Sequence, residues 1–123
     1  MKIKNFEIKN LNETVKEVKK AYRAAVERKA FKPKKGVYFT SLEAARNFLT
    51  PKRIELLHVI KERLPRSLYE LAKQTGRSFP SVLKDIEILK KHGLITIEKP
   101  KGYARNNFLP HVDYDAISLR IGV

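Results

Sequence analysis

The stretch Leu68-Tyr-Glu-Leu-Ala-Lys-Gln-Thr-Gly-Arg-Ser-Phe-Pro-Ser-Val-Leu-Lys-Asp-Ile-Glu-Ile-Leu-Lys-Lys-His-Gly-Leu-Ile95 constrains this chain more than any other. Ser67-Leu-Tyr-Glu70 is a capping box, in which the serine takes an orphan amide and the glutamate reaches back. Leu68, Leu71 and Ala72 then share one face, and Gly76 supplies the positive φ that closes the helix. Ser78 can cap a second helix, with Pro80 tolerated in its first turn. That helix, about Phe79 to His92, repeats Val82, Ile86 and Leu89 as a buried stripe flanked by Leu83. Gly93 ends it, and Leu94-Ile-Thr-Ile-Glu98 reads as a strand.

Two helices joined at a tight glycine turn, then a strand, is the layout of a winged helix-turn-helix, which lays its second helix in the DNA major groove. Arg77, Ser78, Pro80, Ser81, Lys84 and Lys91 sit on the leading end or outer side of that helix. A helix N-terminus favours anions, and Lys or Arg there can hydrogen-bond guanine O6 and N7. Asp85 can accept from cytosine N4 or brace a neighbouring cation. Lys99-Pro-Lys-Gly-Tyr-Ala-Arg105 reads as a hairpin tip, with Asn106 to Leu109 as the return strand. Lys99, Lys101, Tyr103 and Arg105 make that tip a basic wing, suited to backbone or a narrow minor groove. Arg66 and Ser67, with Lys52 and Arg53, are candidate backbone contacts that carry no sequence information.

Charge points the same way. Lys and Arg number 27 against 13 Asp and Glu, a formal charge of +14. A highly charged surface of balanced sign would need more acids, so a polyanionic partner is expected. Residues 1–35 hold 12 basic and 4 acidic residues, so the N-terminal part is as basic as residues 36–110 in half the length. The absence of cysteine excludes disulfides and Cys-based zinc fingers. No apolar run nears the roughly 20 residues a membrane span needs. The N-terminus alternates charged and apolar residues, which no signal peptide does, so a cytoplasmic location is expected.

The flanks are less determined. Ile3 to Lys9 is a short strand with Phe6 and Ile8 on one face, and Asn10 or Asn12 can cap the helix that follows, to about Lys29. Leu11, Val15, Val18, Tyr22 and Ala25 recur at 4-3-4-3 spacing, a narrow seam that packs either on its own domain or in a dimer contact. Phe31 to Gly36 is a linker, and Val37-Tyr-Phe39 a short extended piece. Ser41 caps Leu42 to Leu49, with Leu42, Ala45 and Leu49 on one face. Thr50-Pro51 starts a helix to Leu64 that turns Ile54, Leu57, Ile60 and Leu64 inward, stopped by Pro65. Residues 112–123 alternate as a strand whose partner is the wing sheet, the N-terminal strand or another copy. The expected division is residues 1–36, 37–110 and 111–123.

His111, Asp113 and Asp115 alternate and would share a strand face, but a loop fits as well and nothing else converges, so no metal is expected. His58 and His92 have no evident catalytic partner, and no P-loop, dinucleotide fingerprint or nucleophile elbow occurs. No cofactor and no enzymatic activity are expected.

Phe39-Thr-Ser-Leu-Glu-Ala44, Leu49-Thr-Pro-Lys-Arg-Ile-Glu-Leu-Leu57, Glu70-Leu-Ala72, Leu89 through Gly93-Leu-Ile95, Pro110 and Tyr114-Asp-Ala-Ile117 occur in order over residues 37–121. Together they resemble MarR-like winged helix-turn-helix regulators, and more closely an archaeal and bacterial family of predicted regulators. The resemblance implies a DNA-binding transcription factor, usually dimeric. Some similar proteins act as antitoxins that repress their own operon, which implies a toxin protein as a further partner. The chain departs from that pattern at Phe79-Pro80, so base specificity is not carried over.

The expectation is an α+β chain: a winged helix-turn-helix with an N-terminal amphipathic helix and a C-terminal strand, acting as a dimeric, sequence-specific repressor on double-stranded DNA. The alternatives are an antitoxin-like module that binds a toxin, and a non-specific nucleic-acid or RNA-binding protein.

Overall fold

A computed structural model describes residues 1–9, 11–27, 37–99 and 108–122. The protein is mixed α+β, with five helices and two small sheets among the described residues. It divides into two compact units, one formed by residues 1–48 with 114–123 and the other by residues 49–113.

The first unit holds β1 (Ile3–Ile8), α1 (Leu11–Val26), β2 (Val37–Phe39), α2 (Leu42–Phe48) and β5 (Ala116–Ile121). Its sheet runs β2-β1-β5, and β1 pairs parallel with both neighbours. The C-terminal strand therefore resolves to the N-terminal strand as partner, in the register Phe6↔Leu119 and Ile8↔Ile121. Parallel partners point to the same side, so Phe6, Ile8, Phe39, Leu119 and Ile121 share one sheet face. Phe39 is the hub of that face: its ring lies 5.6 Å from Phe6 and 5.5 Å from Phe48 of α2. Residues 37–48 accordingly belong with the N-terminal strand, and the division falls at Phe48/Leu49, not at residue 36.

Helix α1 is tied to this unit by charge. Lys9 is buried; its Nζ pairs with Glu17 of α1, lies 3.9 Å from Glu7, and sits 3.9 Å over the Tyr38 ring. The hydrogen bond to Glu17 outweighs the desolvation of Lys9 and holds its ammonium above the ordinary 10.5. Glu13 lies against Gly122, where an added Cβ would come within 3.2 Å of the Glu13 carboxylate. Of the apolar seam of α1, Val15, Val18 and Tyr22 are exposed. Asn10 and residues 28–36, with the expected end of the helix and the linker, lie outside the described residues.

The second unit holds α3 (Pro51–Arg63), α4 (Leu68–Thr75), α5 (Phe79–Lys91), β3 (Thr96–Glu98) and β4 (Leu109–His111). Each helix start follows its local chemistry. Thr50 accepts from the Arg53 amide at 3.2 Å, Ser67 from Glu70 at 3.0 Å, and Ser78 from Ser81 at 3.4 Å. Glu70 closes the capping box one residue early, on the Arg66 amide. Both glycine stops are Schellman motifs. After Gly76, Arg77 N–H donates to Ala72 C=O; around Gly93 (φ 75°), Leu94 N–H donates to Leu89 C=O at 2.9 Å. That motif delays β3 by two residues and buries Leu94 and Ile95.

Leu68, Leu71, Ala72, Val82, Ile86 and Leu89 are buried as their periodicity predicts. In α3 the inward set is Leu56, Leu57, Val59 and Ile60, whereas Ile54 is exposed. The run Ile54 to Ile60 is apolar on more than one side, so packing rather than pattern chose the face. Leu64 cannot close that face: it caps the helix in the left-handed region (φ 47°), because Pro65 disfavours a helical residue before it. Leu42 of α2 is likewise exposed, with Ala45 alone of its expected face buried.

Strands β3 and β4 pair antiparallel, Thr96↔His111, Ile97↔Pro110 and Glu98↔Leu109. Pro110 is fully buried, and β4 lies in contact with α3. The hairpin tip, including Lys101, Tyr103 and Arg105, lies outside the described residues.

Candidate nucleic-acid interface

Helix α5 divides cleanly into two sides. Val82, Ile86 and Leu89 anchor one side in the core of the second unit. The other side carries Ser81, Lys84, Ile88 and Lys91 in a stripe at i, i+3, i+7 and i+10; Ser81, Lys84 and Lys91 are exposed. Ser78 and Pro80 are exposed at its leading end. Arg66 is exposed and Ser67 half-buried at the leading end of α4.

Two residues expected at such a surface are engaged elsewhere. The Asp85 carboxylate receives Arg77 Nη2 at 2.6 Å and Arg53 Nε at 3.1 Å. Arg77 also donates to Ser81 Oγ at 2.8 Å. The side chains of Arg77, Arg53 and Asp85 are only 14%, 16% and 13% exposed. Arg77 is therefore a brace for the turn rather than an outward cation, and Arg53 ties α3 to α5 rather than presenting to a backbone. Burial opposes ionisation of Asp85, but hydrogen bonds and charge from Arg77 and Arg53 outweigh it and hold its pKa below the ordinary 3.8. Arg77 Nη1 and Gln74 Oε1 are buried without hydrogen-bond partners.

The sequence reading missed one surface feature. Tyr69, exposed at the second position of α4, stacks on Phe79 at the first position of α5, with ring centroids 4.0 Å apart and 12° between planes. The signal in the sequence is an aromatic within the first two positions of each helix, Tyr69 and Phe79. At the base of the hairpin, Lys99 is exposed and its Nζ lies 5.3 Å over the Phe108 ring.

His111 and Asp115 serve separate local contacts. His111 Nε2 lies 2.9 Å from Glu98, and Asp115 accepts the Lys2 amide at 2.9 Å. Among the described residues no group of three His, Asp or Glu is placed to hold a metal ion, and no helix is long and apolar enough to cross a membrane.

No curated protein matches the chain. The family model described as HVO_A0114 matches residues 48–119, which takes in the whole second unit and most of β5. That match spans more than half of the 123 residues, and the chain belongs to the HVO_A0114 family.

Proposed function

We propose that residues 49–113 are a winged helix-turn-helix and that the protein is a sequence-specific, double-stranded-DNA-binding transcriptional regulator, a dimeric repressor acting in the cytoplasm, of the MarR-like kind it resembles. The observation that carries this reading is the exposed Ser81–Lys84–Lys91 side of α5, presented by a helix whose other side is fixed in the core. The helix starts at Ser78 with uncovered polar groups, is preceded by a two-turn helix, and is followed by an antiparallel hairpin.

In this reading α5 lies in the major groove, and Lys84 donates to guanine O6 and N7. Ser78 and Ser81 offer hydroxyls to base edges or phosphate, while Pro80 and the Phe79–Tyr69 stack give the leading end an apolar surface. Lys91 at the far end, with Arg66 and Ser67 at the start of α4, takes backbone phosphates. Lys99, exposed just after β3, takes the sugar-phosphate rail. The Arg53–Asp85–Arg77 bridge holds α5 at a fixed angle to α3, so that groove contacts are pre-organised. The +14 charge supplies attraction that does not depend on sequence. The chemistry is binding, with no catalytic step.

Selection of bound fragments from a random duplex library tests the reading. A recurring motif with two half-sites about one helical turn apart is expected. Retention of duplexes without any enriched motif would replace it with non-specific binding. Preference for single-stranded RNA would replace it with an RNA-binding role, and failure to retain nucleic acid at low salt would leave the antitoxin-like module.

A further inference from the structure

The leading end of α5 carries an apolar surface where its backbone has little left to offer an anion. Pro80 has no N–H, Ser81 N–H donates to Ser78 Oγ at 3.4 Å, and Val82 N–H donates to Ser78 C=O at 3.1 Å. What stands there instead is exposed Pro80, continuous through half-buried Phe79 with the ring of Tyr69, which is 44% exposed. We infer that this surface, Pro80 with the Tyr69–Phe79 pair, reads the C5-methyl group of a thymine in the major groove, one or two base pairs from the guanine that Lys84 contacts. The inference deepens the proposed regulator by naming the base that its leading end selects, and it rests on that reading.

The chemistry of the groove narrows the occupant. Base edges there present hydrogen-bond donors and acceptors, and the one apolar group among them is the thymine methyl. An apolar surface set against any other edge would strip water from polar atoms without pairing them. Charge commits the surface to DNA. From Arg66 to Lys84 the chain holds four cations and one acid, Glu70, whose carboxylate already accepts from the Arg66 amide and from Gln74 Nε2, each at 3.2 Å. Arg66, three residues before Tyr69, and Lys84, one turn beyond Pro80, are both exposed. Cations beside an apolar patch suit a groove whose walls are phosphate and whose floor carries methyl groups. Geometry sets the position. Pro80 and Lys84 lie four residues apart on one side of α5, about 6 Å along the helix against about 3.4 Å per base-pair step, so the methyl and the guanine fall one or two steps apart. The stacked rings, 4.0 Å apart and 12° from parallel, form a stiff wall that loses little freedom on contact.

The test uses the full chain and the duplex it selects. Lys84→Ala identifies the guanine, as the position where base preference relaxes. Replacing the neighbouring thymine by deoxyuridine removes the methyl group and nothing else. In fluorescence anisotropy this should weaken wild-type binding by about fourfold, the effect of one methyl group no longer withdrawn from water. In Pro80→Ser the thymine-to-uracil ratio should fall to one, with helical circular dichroism retained. If Pro80→Ser loses its helix, Tyr69→Ser takes its place, with the same fall expected. A ratio of one in the wild type, or a fourfold ratio that survives in the folded variant, would overturn the inference. Tighter binding when 5-methylcytosine paired with guanine replaces that thymine pair would overturn thymine in favour of a methylated cytosine. If no motif is selected, the regulator reading falls and takes the inference with it. If a motif is selected and uracil is tolerated, the inference alone falls.

Discussion

The two units solve the problem of an amphipathic helix in opposite ways. In residues 49–113, α4 and α5 turn leucine, isoleucine and valine into a common core and present polar residues outward. In the N-terminal unit, α1 is fastened through Glu17 to the buried ammonium of Lys9, and its valines and Tyr22 are exposed. The core-facing helices have what a self-standing domain requires: capped starts, glycine stops and a closed apolar interior. The charge-fastened helix leaves its largest apolar resource unspent within one chain. An apolar stripe in a sequence thus does not by itself place a helix in a core; the polar contacts around it take part in the choice.

The sharpest way to break this contrast is truncation on both sides of it. Leu89→Ala, at a fully buried position of α5, should cost about 2–5 kcal/mol in urea unfolding followed by circular dichroism. Val18→Ala in α1, measured at high dilution, should move the same transition by less than about 0.5 kcal/mol. Equal losses would mean that α1 is part of a core after all.

Next in size is the ion bridge beneath α5. Asp85→Asn leaves the guanidinium groups of Arg53 and Arg77 without their counter-charge and should cost about 2 kcal/mol. Its pH dependence has a definite sign. The native carboxyl titrates below 3.8, so its stabilisation is present above pH 3.8 and is lost as pH falls through the lower native value. The acid limb of the stability curve should therefore flatten in Asp85→Asn; an unchanged limb would mean that the bridge does not tie α3 to α5.

A smaller effect is expected at the end of α3. Leu64 holds a left-handed conformation with its side chain exposed, so Leu64→Gly removes strain without removing packing. It should raise stability by about 0.5–1 kcal/mol, seen as a higher urea midpoint at unchanged slope. A lower midpoint would mean that the side chain packs after all.

The smallest signal concerns the fastening of α1. The Lys9 ammonium is held above 10.5 by Glu17, so its contribution is complete below pH 10.5 and is lost as pH rises through the higher native value. Lys9→Met should abolish that alkaline component and leave the neutral-pH fold of residues 49–113 unaltered. A variant whose alkaline limb matches the wild type would show that Lys9 does not hold the helix.

What was legible in the sequence was what neighbouring residues decide. Thr50, Ser67, Ser78, Gly76 and Gly93 mark helix ends because capping and positive φ are local requirements, and Val82, Ile86 and Leu89 mark a buried side because one period dominates there. Long-range choices were not legible. The partner of β5 depended on a register with β1 over a hundred residues away. The membership of residues 37–48 turned on Phe39 and Phe48 meeting Phe6. On the candidate interface, Ser78, Pro80, Ser81, Lys84 and Lys91 are exposed as expected, whereas Arg77 is drawn inward by an acid eight residues on. Helical spacing places residues on a side, but only tertiary packing shows which cations are already paired.

The measurement that bears most directly on the central claim is the affinity of Lys84→Ala for a selected duplex and for random duplex at the same salt concentration. A groove-reading lysine predicts a loss of about 1–3 kcal/mol on the selected duplex and a much smaller one on random DNA. Equal losses on both would make Lys84 a phosphate contact and would contradict the placement of α5 against base edges.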